Sequence, residues 1–469
     1  MKTYIKFIPV LLLLILSACK VSKDLSAPVT ATPAQFRDVT STDSTSIATF
    51  PWKEFFTDPA ISTLIDSALV KNYDLQIALK NMESSALLYS QSKAGNIPSL
   101  FLNVTANTSR PSDNSLNGLS TSTFLNTTHI EDYNANLSLS WEADIWGKIR
   151  SRKQAALSTF LQTSEARKAV QTSLVAEVAR GYYRLLMLDA QMAIAKRNLA
   201  LNDSTLRMIH LQFDAGQVTA LAIQQAEAQQ MVAVQLMPQL EQEIGIQENA
   251  LSVLTGHIPA AIARQGKLSE IAADDQFAVG FPSAMVSRRP DVRSAELALQ
   301  IANANVGIAK ASLYPSVTIT ASGGVNSFRA SNWFNIPASL FGAVAGGLTQ
   351  PILDRKRITT QVEVAKVERE KAVLQFRGTV LTAVAEVSDE LIKTQKLKLQ
   401  YDVAGSRVRT LQTAVKNSSM LFKNGMANYL EVITAQRNSL QGELDLAALR
   451  TAQLEAKVDL YRALGGGWK

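Results

Sequence analysis

The side chains that could do chemistry are few and far apart. The chain has 3 histidines and 1 cysteine in 469 residues. His129, His210 and His257 stand at no metal-ligand spacing and have no cysteine near them. No phosphate loop, nucleophile elbow or dinucleotide fingerprint occurs. The reading is therefore no catalytic residue, no metal, no cofactor and no enzyme. One residue is set up for a covalent step. Met1 to Lys6 is a short basic segment, Ile8 to Leu16 is an apolar core broken only by Pro9, and Leu16-Ser17-Ala18-Cys19 closes it. The apolar run is too short to span a membrane as a helix. Its ending resembles a lipobox, whose cysteine is acylated. The expectation is a signal peptide over 1–18 and a mature chain that begins at lipid-bearing Cys19 and has no disulfide.

Two further groups stand out by position. Phe213-Asp214-Ala215-Gly216 and Phe422-Lys423-Asn424-Gly425 each end a long helical pattern, with a glycine suited to a left-handed helix stop. Trp146, Lys148 and Arg150, and again Arg355, Lys356 and Arg357, follow directly on strand patterns. Tryptophan and cations at such a level suit a membrane interface and its phosphates.

The elements that must position these groups follow from periodicity. From Tyr133 to Asp144 apolar and polar residues alternate, as in a strand with two unlike faces. Ser99 to Asn107 alternates in the same way except at Phe101. With an exposed loop over 110–130, the two make a hairpin at about 98–144. No other apolar run reaches 18 residues, so a membrane-spanning reading requires strands.

A long helix is predicted over about 146–213. Val178, Leu185, Met192, Leu199, Leu206 and Phe213 recur at every seventh position, with Leu188, Ala195 and Ile209 beside them, as in a coiled coil. A return helix is predicted over about 218–255, kinked or interrupted at Pro238. Before the hairpin, 19–57 reads as a tether that ends on Pro51-Trp52, and Asp58-Pro59 opens a helix.

The pattern then repeats. Residues 258–286 read as a small compact segment, and Arg289-Pro290-Asp291 opens a helix as Asn72-Tyr73-Asp74 does. A hairpin follows at about 315–350, a long helix at about 353–422 with Val380, Val387, Tyr401, Val408, Val415 and Phe422, and a return helix at about 428–464. Pro351-Ile352-Leu353-Asp354 is matched to Asp144-Ile145-Trp146-Gly147 at the strand-to-helix junction. The two repeats are 58–257 and 287–469, and repeats of this size imply pseudo-symmetry. The formal charge is +7. It is spread along helices, which argues against nucleic-acid binding.

Arg288-Arg289-Pro290-Asp291-Val292-Arg293, Phe422-x-x-Gly425 running into Ala435-Gln436-Arg437, and Leu460-Tyr461-Arg462-Ala463-Leu464-Gly465-Gly466-Gly467-Trp468 resemble the TolC-like outer-membrane factors, in their lipoprotein branch of OprM and NodT type. The resemblance covers nearly the whole chain. It implies a mainly α fold with a transmembrane β-barrel portion. Four strands from each chain would join a trimeric 12-stranded outer-membrane barrel, and the coiled-coil helices would form a periplasmic α-barrel.

The function it implies is the passive exit duct of a tripartite efflux pump for small molecules such as drugs or metals. The implied partners are two further copies of the chain, a periplasmic adaptor, an inner-membrane transporter of the resistance–nodulation–division type, and outer-membrane lipids. In that family the helix tips close the duct and meet the adaptor. Some relatives place an Asp that helps gate the pore just after the second tip glycine, where this chain has Met426-Ala427-Asn428. A duct for secreted polypeptide, or a periplasmic coiled-coil scaffold lipoprotein, are the other readings. The scaffold leaves the four alternating strands without a role. Counting alone adds that four strands cannot close a barrel wide enough for solute, so partner chains are needed.

Overall fold

The computed structural model describes residues 35–36, 46–264, 266–271 and 280–468. Cys19 and most of the tether lie outside the described residues. The chain divides into two compact units. One joins Ser84–Leu161 to Leu297–Leu374, and the other joins Gln162–Glu296, Gln375–Lys469 and Val29–Glu83. Both draw on both halves of the sequence, so the compact units cut across the sequence repeats.

The first unit holds a single sheet. β1 (Ser99–Ser109), β2 (Ile130–Glu142), β3 (Ser316–Ser327) and β4 (Leu340–Thr349) pair antiparallel in the order β1-β2-β3-β4. The register aligns the apolar sets of all four. Leu102 lies opposite Leu137, Leu137 opposite Gly323, and Gly323 opposite Gly342. Ser138 lies between Phe101 and Ser322 in the next row. One face is therefore an unbroken apolar band, and the other is mainly Ser, Thr and Asn, with Phe101, Phe341, Ala343 and Ala345 among them and Asp132 and Glu142 near its ends. β1 and β4 each keep one unpaired edge.

The link between β1 and β2 is more ordered than the expected loop. It contains a helix, Leu116–Ser120, whose N-terminal Ser115 Oγ accepts from the Gly118 N–H at 3.0 Å. A π-helical turn, Thr121–Leu125, follows.

The two long helices, Lys148–Asp214 and Arg357–Lys423, have 67 residues each, and the return helices, Ala220–Leu254 and Tyr429–Ala463, have 35 each. Pro238 lies inside the first return helix without ending it. A missing N–H costs one backbone bond, which 35 residues of helix can absorb. No helix among the described residues is long and apolar enough to cross a membrane.

The second unit has the larger core. Ile61, Ile65, Val178, Tyr182, Leu185, Val380, Val387, Leu454 and Tyr461 are all buried in it. The seven-residue line of the first long helix holds only part of the way. Val178, Leu185 and Met192 are buried, but beyond them the buried set is Ala195, Asn198, Asn202, Thr205 and Ile209. Leu199 and Leu206 are half-buried and Phe213 is 40% exposed. A straight helix drifts by ~20° per heptad against a strict seven-residue repeat, so the contact line moves to neighbouring positions. In the second long helix Val380, Val387, Val408 and Phe422 are buried, while Tyr401 and Val415 are half-buried.

The compact segment after the first return helix packs on this core through Leu268 and Met285, and Arg264 pairs with both Asp189 and Glu248. Nearby, the buried Arg289 donates to the Ala463 carbonyl at 2.9 Å and pairs with Asp291 and Glu386. Tyr461 donates its hydroxyl to the Phe50 carbonyl at 2.8 Å and stacks on Phe55. Two of the most specific sequence stretches thus meet in one core, where they hold structure.

Candidate functional site

Three groups of residues are candidates: the helix tips, the strand-to-helix junctions and the two unlike faces of the sheet.

At the tips the backbone closes in the same way twice. The Gly216 N–H bonds the Phe213 carbonyl and the Gln217 N–H reaches back to Gln212 at 2.8 Å. The Gly425 N–H bonds Phe422 and the Met426 N–H reaches Leu421 at 2.8 Å. Gly216 and Gly425 both have φ of +68°. That is the left-handed helix stop in which glycine avoids a Cβ clash. A Cβ at either position would meet nothing within 4 Å, so the surroundings leave room for a side chain.

The two phenylalanines differ. Phe422 is buried with Ile209, Ala222, Ala226 and Val432, whereas Phe213 is exposed. The expectation that both are packing knobs is thus corrected for Phe213, which the drift of the contact line leaves at the surface. Asp214, Lys423 and Asn424 are exposed, as are Leu211 and Met426. Asn428 caps the second return helix through its Oδ1, which accepts from Glu431 N–H at 3.1 Å.

At the first junction Asp144 accepts from the N–H groups of Ile149 and Arg150 at 2.8 and 2.9 Å, which satisfies free donors of the long helix. Gly147, at φ +75°, makes the turn between them. Trp146 donates its indole N–H to the Pro315 carbonyl at 2.8 Å and stacks on Tyr314. Lys148 is half-buried and pairs with Glu142 at 2.9 Å, so it is no free interfacial cation.

At the second junction Asp354 accepts from the Ile358 N–H at 2.9 Å. Asp354 is therefore the counterpart of Asp144. The expected alignment, which set Pro351 against Asp144, is shifted, because the second junction is one residue shorter from carboxylate to capped isoleucine. Arg355 and Lys356 stand at φ +56° and +65°, where Gly147 stands in the first junction. Left-handed backbone costs a residue with a side chain roughly 1–2 kcal/mol. Arg355, Lys356, Arg357 and Arg150 are exposed, and Ile352 and Leu353 beside them are 90% and 97% exposed. The residues of both junctions line a cleft of about 210 Å³.

Sequence reasoning singled out the tips and junctions but missed two features. One is the buried polar seam in which Asn202 donates to Asn198 at 3.0 Å and Gln436 donates to Thr205 at 2.9 Å. The heptad pattern hides it, since it counts apolar positions. The other is Phe341, which falls in a glycine-rich strand with weak alternation.

Comparison with known proteins matches residues 64–257 and 281–466 to the family described as outer membrane efflux protein. The solvent efflux pump outer membrane protein SrpC of Pseudomonas putida is 31% identical over 99% of this chain and 98% of its own length. The cation efflux system protein CusC of Escherichia coli is 28% identical over 99% of both. Among solved structures, the open-state outer membrane channel MtrE of Neisseria gonorrhoeae superposes with a TM-score of 0.85 at 27% identity, covering 96% of this chain and 99% of that one.

Proposed function

The chain belongs to the outer membrane efflux protein family, and from that premise we propose that it is the passive exit duct of a tripartite pump for small organic molecules or metal ions. The fold is that of the trimeric outer-membrane efflux channels, with a 12-stranded barrel in the membrane and helices in the periplasm. The observation that carries the duct is the sheet. One face is apolar, the opposite face is mainly Ser, Thr and Asn, and both edges are free. With strands ~4.8 Å apart and tilted ~40°, twelve strands close a cylinder about 24 Å across. The apolar face then meets lipid and the polar face lines the lumen.

Exposed Phe213, Leu211 and Met426 beside Gly216 and Gly425 support adaptor docking at the tips. Asp214, Lys423 and Asn424 belong to the same surface. The similarity to pump components supports an inner-membrane transporter, for which we read the resistance–nodulation–division type. Trp146, Arg150, Arg355, Lys356 and Arg357, with exposed Ile352 and Leu353, suit contact with lipid head groups. Cys19 is the acylation site.

The test is a strain that keeps the cognate adaptor and transporter but lacks this chain. Restoring the gene should restore expulsion of a fluorescent pump substrate. Outer-membrane trimers with no restored expulsion would overturn the reading.

A further inference from the structure

The polar face of the sheet carries two phenyl rings that a hydrated wall has no use for. Phe101 stands opposite Ser138 and is 57% exposed. Its neighbour on the same face, Asn103, donates to Asn136 Oδ1 at 3.3 Å and to Ser138 Oγ at 2.9 Å. The ring therefore sits in a hydrogen-bonded wall, with Ser138 and Ser322 next to it in its row and only Ala343 beyond them. Its face is not negotiable. Leu100 and Leu102 pair with Leu139 and Leu137, and a slip of one residue would turn every leucine of the strand into the lumen.

Phe341 is the counterpart on β4. It stands on the same face, opposite Gly324. A Cβ at Gly324 would lie 2.1 Å from the Ala135 carbonyl, so no side chain stands directly opposite that ring, which is half-buried. β1 and β4 are the edge strands, and in a closed trimer β4 of one subunit lies beside β1 of the next. The rings are thus brought to the subunit seams around the barrel.

Between Asp132 and Glu142 near its two ends, the rest of this face is neutral. β1 adds Ser99, Asn103, Thr105 and Asn107, and the middle of β2 adds Asn134, Asn136, Ser138 and Ser140. β3 adds Ser316, Thr318, Thr320, Ser322 and Asn326. No charge along these stretches attracts or repels an ion. The rings are the strongest contact the wall offers, and an apolar solute that covers them removes ring surface from water.

We propose that Phe101 and Phe341 form an aromatic collar inside the barrel. It is a contact site for apolar and aromatic organic cargo and favours that cargo over hydrated ions. The inference rests on the duct reading. On a lipid-facing surface the same rings would carry no specificity.

Two experiments test it. In trimers held in lipid nanodiscs, Phe101→Cys should react with a charged, membrane-impermeant maleimide as Ser138→Cys does, while Leu102→Cys should not. If Phe101→Cys behaves like Leu102→Cys, the collar is overturned and the duct stands. If Ser138→Cys and Leu102→Cys react alike, the duct reading fails first. In pump-competent cells, Phe101→Ser with Phe341→Ser should lower expulsion of N-phenylnaphthylamine several-fold and leave a hydrophilic organic cation unchanged. Phe101→Tyr should retain the apolar export. Equal loss for both probes, no loss for either, or loss of the trimer would overturn the collar and make the rings ordinary seam packing.

Discussion

Arg289 holds three segments together with one guanidinium. Its side chain is 6% exposed and reaches Asp291, Glu386 and the Ala463 carbonyl. The Glu386 approach, at 2.8 Å, is an ion pair, since that carboxylate oxygen receives no well-directed hydrogen bond. Removing the cation leaves Asp291 and Glu386 without their counter-charge and the Ala463 carbonyl without its side-chain donor. Asp291 and Glu386 are partly solvated, so Arg289→Met should cost about 1–3 kcal/mol, read as a lower Tm of the detergent-extracted protein.

Asp291 gives the pH arm of the same test. Burial pushes its carboxyl up, but Arg289 outweighs burial and holds the pKa below the usual carboxylate value. The stabilisation is therefore complete above that usual value and is lost as pH falls through the lowered one. In Arg289→Met the Asp291 contribution to acid destabilisation should vanish or reverse, so the Tm–pH profile should be flatter on its acid side, and an acid limb as steep as in the parent would count against the pairing. At the tips, Gly216→Trp and Gly425→Trp meet open space and cost roughly 1–2 kcal/mol for left-handed backbone, little beside a trimer of this size, so trimer yield should stay near normal. Efflux and cross-linking to the adaptor should collapse, and full cross-linking in both variants would reduce the tips to helix stops. These glycines were legible in the sequence because each stands where a heptad run ends. The contrast between buried Phe422 and exposed Phe213 was not, since both occupy the same formal position.

Among the elements, the strands were the most legible. Period-two alternation assigns a face without any knowledge of the partner, and the observed register places Leu102, Leu137 and Gly323 in one row as alternation requires. The helices were legible in length but less so in contact. A heptad count cannot follow the drift of a 3.6-residue helix, and it overlooks polar residues on the buried line. Asn198, Asn202, Thr205 and Gln436 are all buried there.

The Thr205–Gln436 bond ties the first long helix to the second return helix. Thr205→Val should strand the Gln436 amide and cost about 1–3 kcal/mol. Thr205→Val with Gln436→Leu removes both partners and should recover most of it. Indistinguishable Tm values for the single and double variants would mean that the bond carries no energy. The junctions teach the same lesson. Asp144 and Asp354 were visible as acids near helix starts, but a deletion of one residue between carboxylate and cap defeats matching by motif.

At the scale of the molecule, the sequence repeats and the compact units differ. Each unit takes chain from both halves, because the long helices leave one unit and pack in the other. A repeat is read along the chain, whereas a core is read across it. The sheet's two free edges cannot be satisfied within one chain, and strand number forces partner subunits. A lipid on Cys19, as proposed above, would add anchoring to a structure that strand pairing already holds together. With a cleavable secretory signal in place, Cys19→Ala should still give trimers in outer-membrane fractions. Soluble periplasmic monomer would contradict that.

The most direct test of the account is the native mass of the protein extracted from outer-membrane fractions in mild detergent. The account predicts one species of three chains that stays intact at protein concentrations well below those of extraction. A single chain, with β1 and β4 edges unpaired and the protein recovered from the periplasmic fraction, would contradict it.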